Sequence, residues 1–101
     1  MIKVMIERRI AEGLEQPYEK CVSEALQLIS DAPGFISGES LKDTHSPNHH
    51  VIISTWRSAN AWQKWLGSEK RKFFIEQILP LLTDEEKLTI LEPVRKSTLT
   101  N

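Results

Sequence analysis

Apolar residues recur at every second position near the start of the chain, then at every third or fourth, then at every second again, and that succession of periods admits few folds. Over residues 2–10, Ile2, Val4, Ile6 and Ile10 point one way, with Arg8 interrupting that face, and Lys3, Met5, Glu7 and Arg9 point the other; period two predicts a half-buried strand. Beyond Gly13, Pro17 suits the first turn of a helix, where its missing N–H is no loss. Tyr18, Cys21, Val22, Ala25, Leu28, Ile29 and Ala32 then follow helical spacing until Pro33-Gly34 stops it. Residues 35–43 predict a second strand, with Phe35, Ser37, Glu39 and Leu41 on one face and Ile36, Gly38, Ser40 and Lys42 on the other. Gly38 suits a bulge or a close approach to the backbone. The turn residues 44–48 lead into a third strand, 49–57, and so short a link makes the two an antiparallel hairpin. Ser58 is placed to cap a second helix carrying Ala59, Trp62, Trp65 and Leu66. Gly67-Ser68 interrupts that helix, and it resumes through Phe73, Phe74, Ile78 and Leu82 with an irregular last turn at Pro80. Residues 87–94 predict a last strand with Leu88, Ile90 and Val94 on one face.

The order β-α-β-β-α-β is the ferredoxin-like arrangement, an α+β fold with two helices on one face of an antiparallel sheet. Residues 1–95 are expected to form the domain and 96–101 a polar tail. The other sheet face is left bare, and the alternation assigns Met5, Ile36, Ile52, Trp56 and Leu91 to it. An apolar sheet face needs a cover. The expected cover is a second copy, giving a homodimer joined through its sheet faces, a dimeric α+β barrel.

Composition narrows the functions. Thirteen basic against fourteen acidic residues leave a net charge of −1 with histidine neutral. No basic stripe of the kind that neutralises phosphates is visible, so no nucleic-acid partner is expected. The densest basic run, Lys64, Lys70, Arg71 and Lys72, is flanked by Glu69 and Glu76 and reads as a solvated helix face. The one cysteine, Cys21, forms no internal disulfide and reads as a small buried hydrophobe. No apolar run approaches a bilayer's width and the first residues alternate rather than form a signal peptide. No membrane partner is expected, and a cytoplasmic address follows by default.

Several residues then fall into a known pattern. Pro33-Gly34-Phe35 opens the second strand, the third ends in Trp56-Arg57-Ser58, and Ala59-Asn60-Ala61-Trp62 and Trp65-Leu66-Gly67-Ser68 follow. This resembles the antibiotic biosynthesis monooxygenase family, with its "PGF" opening, a strand ending in "W-x-S" and an aromatic-rich helix. The resemblance implies a dimer with a pocket between helices and sheet in each protomer. It implies chemistry more loosely: some relatives oxidise aromatic polyketides or quinols with molecular oxygen and no cofactor, others degrade haem, and others are isomerases or have no assigned activity. The haem-degrading branch resembles a constellation of Asn on the first strand, Trp on the second helix and a His further on. Trp65 matches the Trp, but Arg8 stands at the Asn position and Ile75 at the His position, and Ile cannot ligate iron. Haem degradation is therefore not expected.

Four residues are expected to contact a substrate. Trp65 would be a flat wall for an aromatic ring, against the plainer reading of core packing with Trp62. Arg8 breaks an apolar face and would bind a carboxylate, phenolate or enolate, unless it is an ordinary salt-bridged arginine at a strand end. Ser37 would be a polar group inside the pocket if its face meets the helices, and Phe74 would touch a ligand from the core. Tyr18 reads as first-turn packing whose hydroxyl reaches a pocket rim. His45, His49 and His50 cluster at the hairpin. His49 and His50 point to opposite faces, so a metal site is not expected; one of the three would suit a general base near neutrality, but exposed turn histidines is the plainer reading. No residue is singled out as catalytic.

The leading expectation is a cofactor-independent monooxygenase acting on a small aromatic or quinol-like molecule, since an electron-rich phenolate can itself pass an electron to oxygen. No Gly-rich phosphate loop points to a flavin or nicotinamide, so no redox cofactor is expected. The alternatives are a non-catalytic binding or structural module of the same fold, and an isomerase.

Overall fold

The computed structural model describes residues 1–98, so the end of the expected tail, 99–101, lies outside the described residues. Four strands, β1 (Ile2–Arg9), β2 (Phe35–Lys42), β3 (His49–Trp56) and β4 (Lys87–Leu91), form one antiparallel sheet in the order β2-β3-β1-β4. Helix α1 (Glu15–Ile29) precedes β2, and α2 (Ala59–Leu66) and α3 (Glu69–Ile78) follow β3. This is the ferredoxin-like α+β fold.

Local chemistry sets the boundaries. Gly34 adopts φ +85°, a left-handed conformation that glycine alone enters without strain, and a Cβ there would lie 2.5 Å from that of Ala61. Ser58 Oγ accepts the Ala61 N–H at 3.1 Å and starts α2; Ser68 Oγ accepts the Arg71 N–H at 3.2 Å and starts α3. Pro80 falls in a single 3-10 turn, Leu79–Leu81, that ends the helical region. β4 stops at Leu91, short of the expected 94, and Val94 is exposed.

The helix side of the sheet holds the core: Val4, Ile6, Ile52 and Trp56 pack against Tyr18, Val22, Trp62, Trp65 and Ile78. Trp56 meets Trp62 edge-on at 5.7 Å and stacks on Trp65 at 6.4 Å between ring centroids. Ile52 and Trp56 therefore face the helices and not, as the alternation suggested, the bare face. Register places Met5 beside Ile53, Glu7 beside Val51 and Lys3 beside Thr55 and Leu91 on that outer face. A bulge between Phe35 and Ser37 shifts β2. Phe35 turns inward against Trp56, while Ser37, Glu39 and Leu41 lie opposite Thr55, Ile53 and Val51 on the outer face. Among the described residues no helix is long and apolar enough to cross a membrane.

Candidate functional site

A cavity of about 50 Å³ lies between the helices and the sheet. Its floor is Ile6 and Arg8 of β1 with Ile52 and Ser54 of β3. Val22 and Leu26 of α1 wall one side, and Trp62, Trp65, Arg71 and Phe74 of α2 and α3 roof it. Three of the four residues proposed as substrate contacts, Arg8, Trp65 and Phe74, thus line one space. Ser37 does not: the bulge puts it on the opposite sheet face, beside Lys3, Glu39 and Thr55. Phe73, on the resumed helix beside Phe74, is exposed, because neighbouring helical positions cannot both face the sheet.

The polar chemistry is concentrated at one end. Arg8 is only 4% exposed; its Nε donates to Glu86 Oε2 at 3.0 Å and its Nη1 to the Tyr18 hydroxyl at 3.2 Å. Arg71 donates from Nη2 to Glu86 Oε1 at 2.8 Å and lies 5.8 Å from the Trp62 ring centroid. One carboxylate therefore bridges two guanidiniums, and the cluster keeps one positive charge in excess at the cavity wall. Burial by itself pushes the Glu86 carboxyl up, but the Arg71 hydrogen bond and the charges of Arg8 and Arg71 outweigh it, and the group sits below its ordinary 4.5. Ser54 Oγ accepts from Trp56 Nε1 at 3.0 Å, which fixes the indole under the cavity.

Sequence reasoning missed Arg71 and Glu86. Arg71 was read with Lys64, Lys70 and Lys72 as a solvated face; the lysines are exposed, but Arg71 turns inward to Glu86. Glu86 gave no signal, since it sits in the connection before β4 and its partners lie 15 and 78 residues away in the chain. Two of the three histidines, His49 and His50, depart from the turn reading, whereas His45 keeps to it. His45 is exposed. His49 lies on the outer face between Asp43 Oδ2 at 3.0 Å and Glu7 Oε1 at 3.3 Å, and its hydrogen bond holds the Asp43 carboxyl below the ordinary 3.8. His50 faces the helices and is 2% exposed.

A four-stranded ferredoxin-like sheet roofed by helices defines the fold class, and comparison with known proteins agrees on that fold and narrows it to a family. The family model for antibiotic biosynthesis monooxygenase matches residues 1–77, and the chain belongs to that family. A protein from Deinococcus radiodurans assigned to the antibiotic biosynthesis monooxygenases superposes with a TM-score of 0.88 at 17% identity, over 100% of both chains. SnoaB from Streptomyces nogalater, a cofactor-independent oxygenase, superposes at 0.82 with 16% identity over 94% of this chain and 95% of its own. At these identities the likeness speaks to the fold. A 42.8 kDa protein of the whiE locus of Streptomyces coelicolor is 18% identical over 87 residues, 86% of this chain and 22% of that protein. The chain thus spans about a fifth of that curated relative's length. Glu86 lies beyond the residues the family model matches.

Proposed function

We propose that this protein is a cofactor-independent monooxygenase acting on a small aromatic or quinol-like molecule that carries an acidic hydroxyl group. The observation that carries the reading is the cavity wall, where Trp62 and Trp65 offer flat faces beside a guanidinium pair that holds one carboxylate. In such a reaction the phenol O–H proton leaves and the phenolate gives an electron to oxygen. The two radicals join through a C–O bond at a ring carbon that bears hydrogen, and the peroxide takes up the proton that left. Its O–O bond then breaks with loss of the ring C–H proton, so that water departs and a quinone remains, one oxygen atom entering the product and one the water. The protein's part is to desolvate the ring, orient it and hold its anion, which the excess charge of Arg8 and Arg71 does in a low-dielectric site. Membership of the family and the cofactor-independent oxygenase SnoaB among its structural neighbours support the assignment.

The cavity is well below the roughly 300–1,000 Å³ of ordinary ligand sites, so binding requires a wall to move. Oxygen uptake with a panel of dihydroxynaphthalenes and quinols tests the reading. Turnover by the wild type that falls at least tenfold in Trp65→Phe and Arg8→Met is expected. Turnover indifferent to both substitutions rejects the site, and no uptake with any substrate rejects the oxygenase. Thermal stabilisation by the same molecules without turnover would favour the binding-module alternative.

The same reading includes a homodimer closed through the outer sheet face, where Met5, Val51, Ile53 and Leu91 share a surface. Light scattering is expected to give twice 11.6 kDa for the wild type and 11.6 kDa for Ile53→Asp; a wild-type monomer at micromolar concentration refutes the dimer.

A further inference from the structure

The cavity is parted from neighbouring clefts by two thin walls. Val22 and Leu26 of α1 line it on one side and on their other side line a cleft of about 280 Å³ between α1 and the β2–β3 hairpin. Leu26 sits in a notch that glycine provides: a Cβ on Gly38 would lie 3.2 Å from Leu26 Cδ2. Trp65 separates the cavity from a second, smaller cleft of about 170 Å³, but that indole is stacked on Trp56. Moving one aliphatic side chain disturbs less packing than moving a stacked indole, so Leu26 is the wall residue that can give way at less cost. With Leu26 swung aside, cavity and cleft together reach the lower end of the range of ordinary ligand sites, roughly 300 Å³.

The cleft contains His50. Its Nε2 lies 3.1 Å from the Pro47 carbonyl oxygen, which can only accept, so Nε2 carries the proton and in the neutral ring Nδ1 presents a lone pair. Among the described residues Nδ1 has no hydrogen-bond partner, nor is it one of the fully buried unpaired atoms, of which there are none. It therefore keeps some accessible area, small in a ring that is 2% exposed overall. The charged and titratable groups around the ring are Arg8 of β1 and Lys42 of β2, its cross-strand partners, with Tyr18 and Glu19 of α1. The Tyr18 ring stands edge-on to His50 at 5.2 Å while its hydroxyl accepts from Arg8, so base and cation are joined through one side chain.

We propose that the ligand site continues past Leu26 into this cleft, and that His50 there accepts the proton of the ligand's hydroxyl group. The ligand's O–H bond breaks, its electron pair stays on oxygen, and an N–H bond forms at Nδ1. The transfer adds no net charge, since the phenolate offsets the imidazolium, and Arg8 lies within one side chain of the pair to hold the anion. This deepens the monooxygenase reading by naming its base and the side from which substrate enters.

The test needs no oxygen. The probe is 4-cyanophenol, a stable phenol that is neutral in water at about pH 7 and absorbs at longer wavelength when ionised. Binding to protein labelled with 15N-histidine is expected to shift the probe to its phenolate spectrum and His50 from the Nε2–H pattern to the doubly protonated one, with no proton released into weakly buffered solution. In His50→Gln the probe is expected to stay neutral or to ionise with release of one proton. In Leu26→Trp, with circular dichroism unchanged, its affinity is expected to fall at least tenfold. A His50 signal unmoved at saturation, one already doubly protonated without probe, or a probe that does not bind overturns the proposal. Proton capture by His50 without oxygen uptake on any substrate would keep the base and reject the oxygenase.

Discussion

Replacing Glu86 by Gln removes one negative charge from between two guanidiniums and leaves both in place. The side chains of Arg8, Arg71 and Glu86 are 4%, 12% and 15% exposed, so water screens the cluster poorly. Breaking a buried ion pair by removing one partner costs about 3–5 kcal/mol, because the charge left behind is uncompensated. A glutamine oxygen still accepts from one arginine while its NH2 group meets the other, so about 2–3 kcal/mol is expected here. For a domain of this length each kcal/mol moves Tm by roughly 4–8 °C, so the variant is expected to melt about 10–20 °C lower. Urea titration is the assay, with an unchanged m-value required for the difference to count as stability. Glu85→Gln is the control: Glu85 is exposed and a change within about 0.5 kcal/mol is expected. Acid supplies a second readout. Because the folded carboxyl of Glu86 titrates below its ordinary 4.5, its contribution is fully present above that pH and is lost as pH falls through the lowered folded value. The gap between wild type and Glu86→Gln should therefore narrow below about pH 4.5. A variant within about 0.5 kcal/mol of wild type at neutral pH, or a gap that does not narrow in acid, would refute the electrostatic account of the cluster.

Two further substitutions test how the roof is held. Gly34→Ala forces a side chain into a left-handed backbone position against Ala61, and a loss of at least about 2 kcal/mol is expected in urea titration, more than the strain of the backbone alone. Ser58→Ala removes the acceptor for the Ala61 N–H at the start of α2 and is expected to cost about 1 kcal/mol, with the helix signal in circular dichroism retained.

The fold was legible because each element announced itself by a local rule. Period two, helical spacing, Pro33-Gly34, the capping serines and Gly67 are all properties of residues near one another in the chain, and they give element order and length within a few residues. Facing was less legible, for two reasons visible in particular residues. In β3 both alternating sets are apolar: Val51 and Ile53 on one side, Ile52 and Trp56 on the other. Alternation then says that the strand is buried on both faces without saying which face meets the helices; the bulk of Trp56, wanted where Trp62 and Trp65 are, decides it. In β2 the bulge after Phe35 reverses parity, so Phe35 and Ser37, two apart in sequence, end on opposite faces. That reversal is why Ser37 was placed in a cavity it does not line.

The candidate site divides along the same line. Trp65 and Phe74 were legible because an aromatic on the apolar stripe of a helix has nowhere to go but inward. Arg8 was legible as an exception, a charge on a strand face that is otherwise apolar. What satisfies that exception was not legible, because an ion pair is made in space and not in sequence. Glu86 reaches Arg8 only because β4 lies beside β1, and reaches Arg71 only because the chain returns beneath α3 before entering β4. Two acidic neighbours, Asp84 and Glu85, share its connection and are exposed, so composition alone had no ground for choosing among the three. His50 repeats the lesson from the other side. It adjoins His49 and looks like the same kind of residue, yet one pleat of the strand sends His49 to two carboxylates on the outer face and His50 to Tyr18 beneath the helix. A histidine whose one nitrogen is pinned to a carbonyl and whose other nitrogen keeps some accessible area has a chemistry that its neighbour, hydrogen-bonded at both, does not.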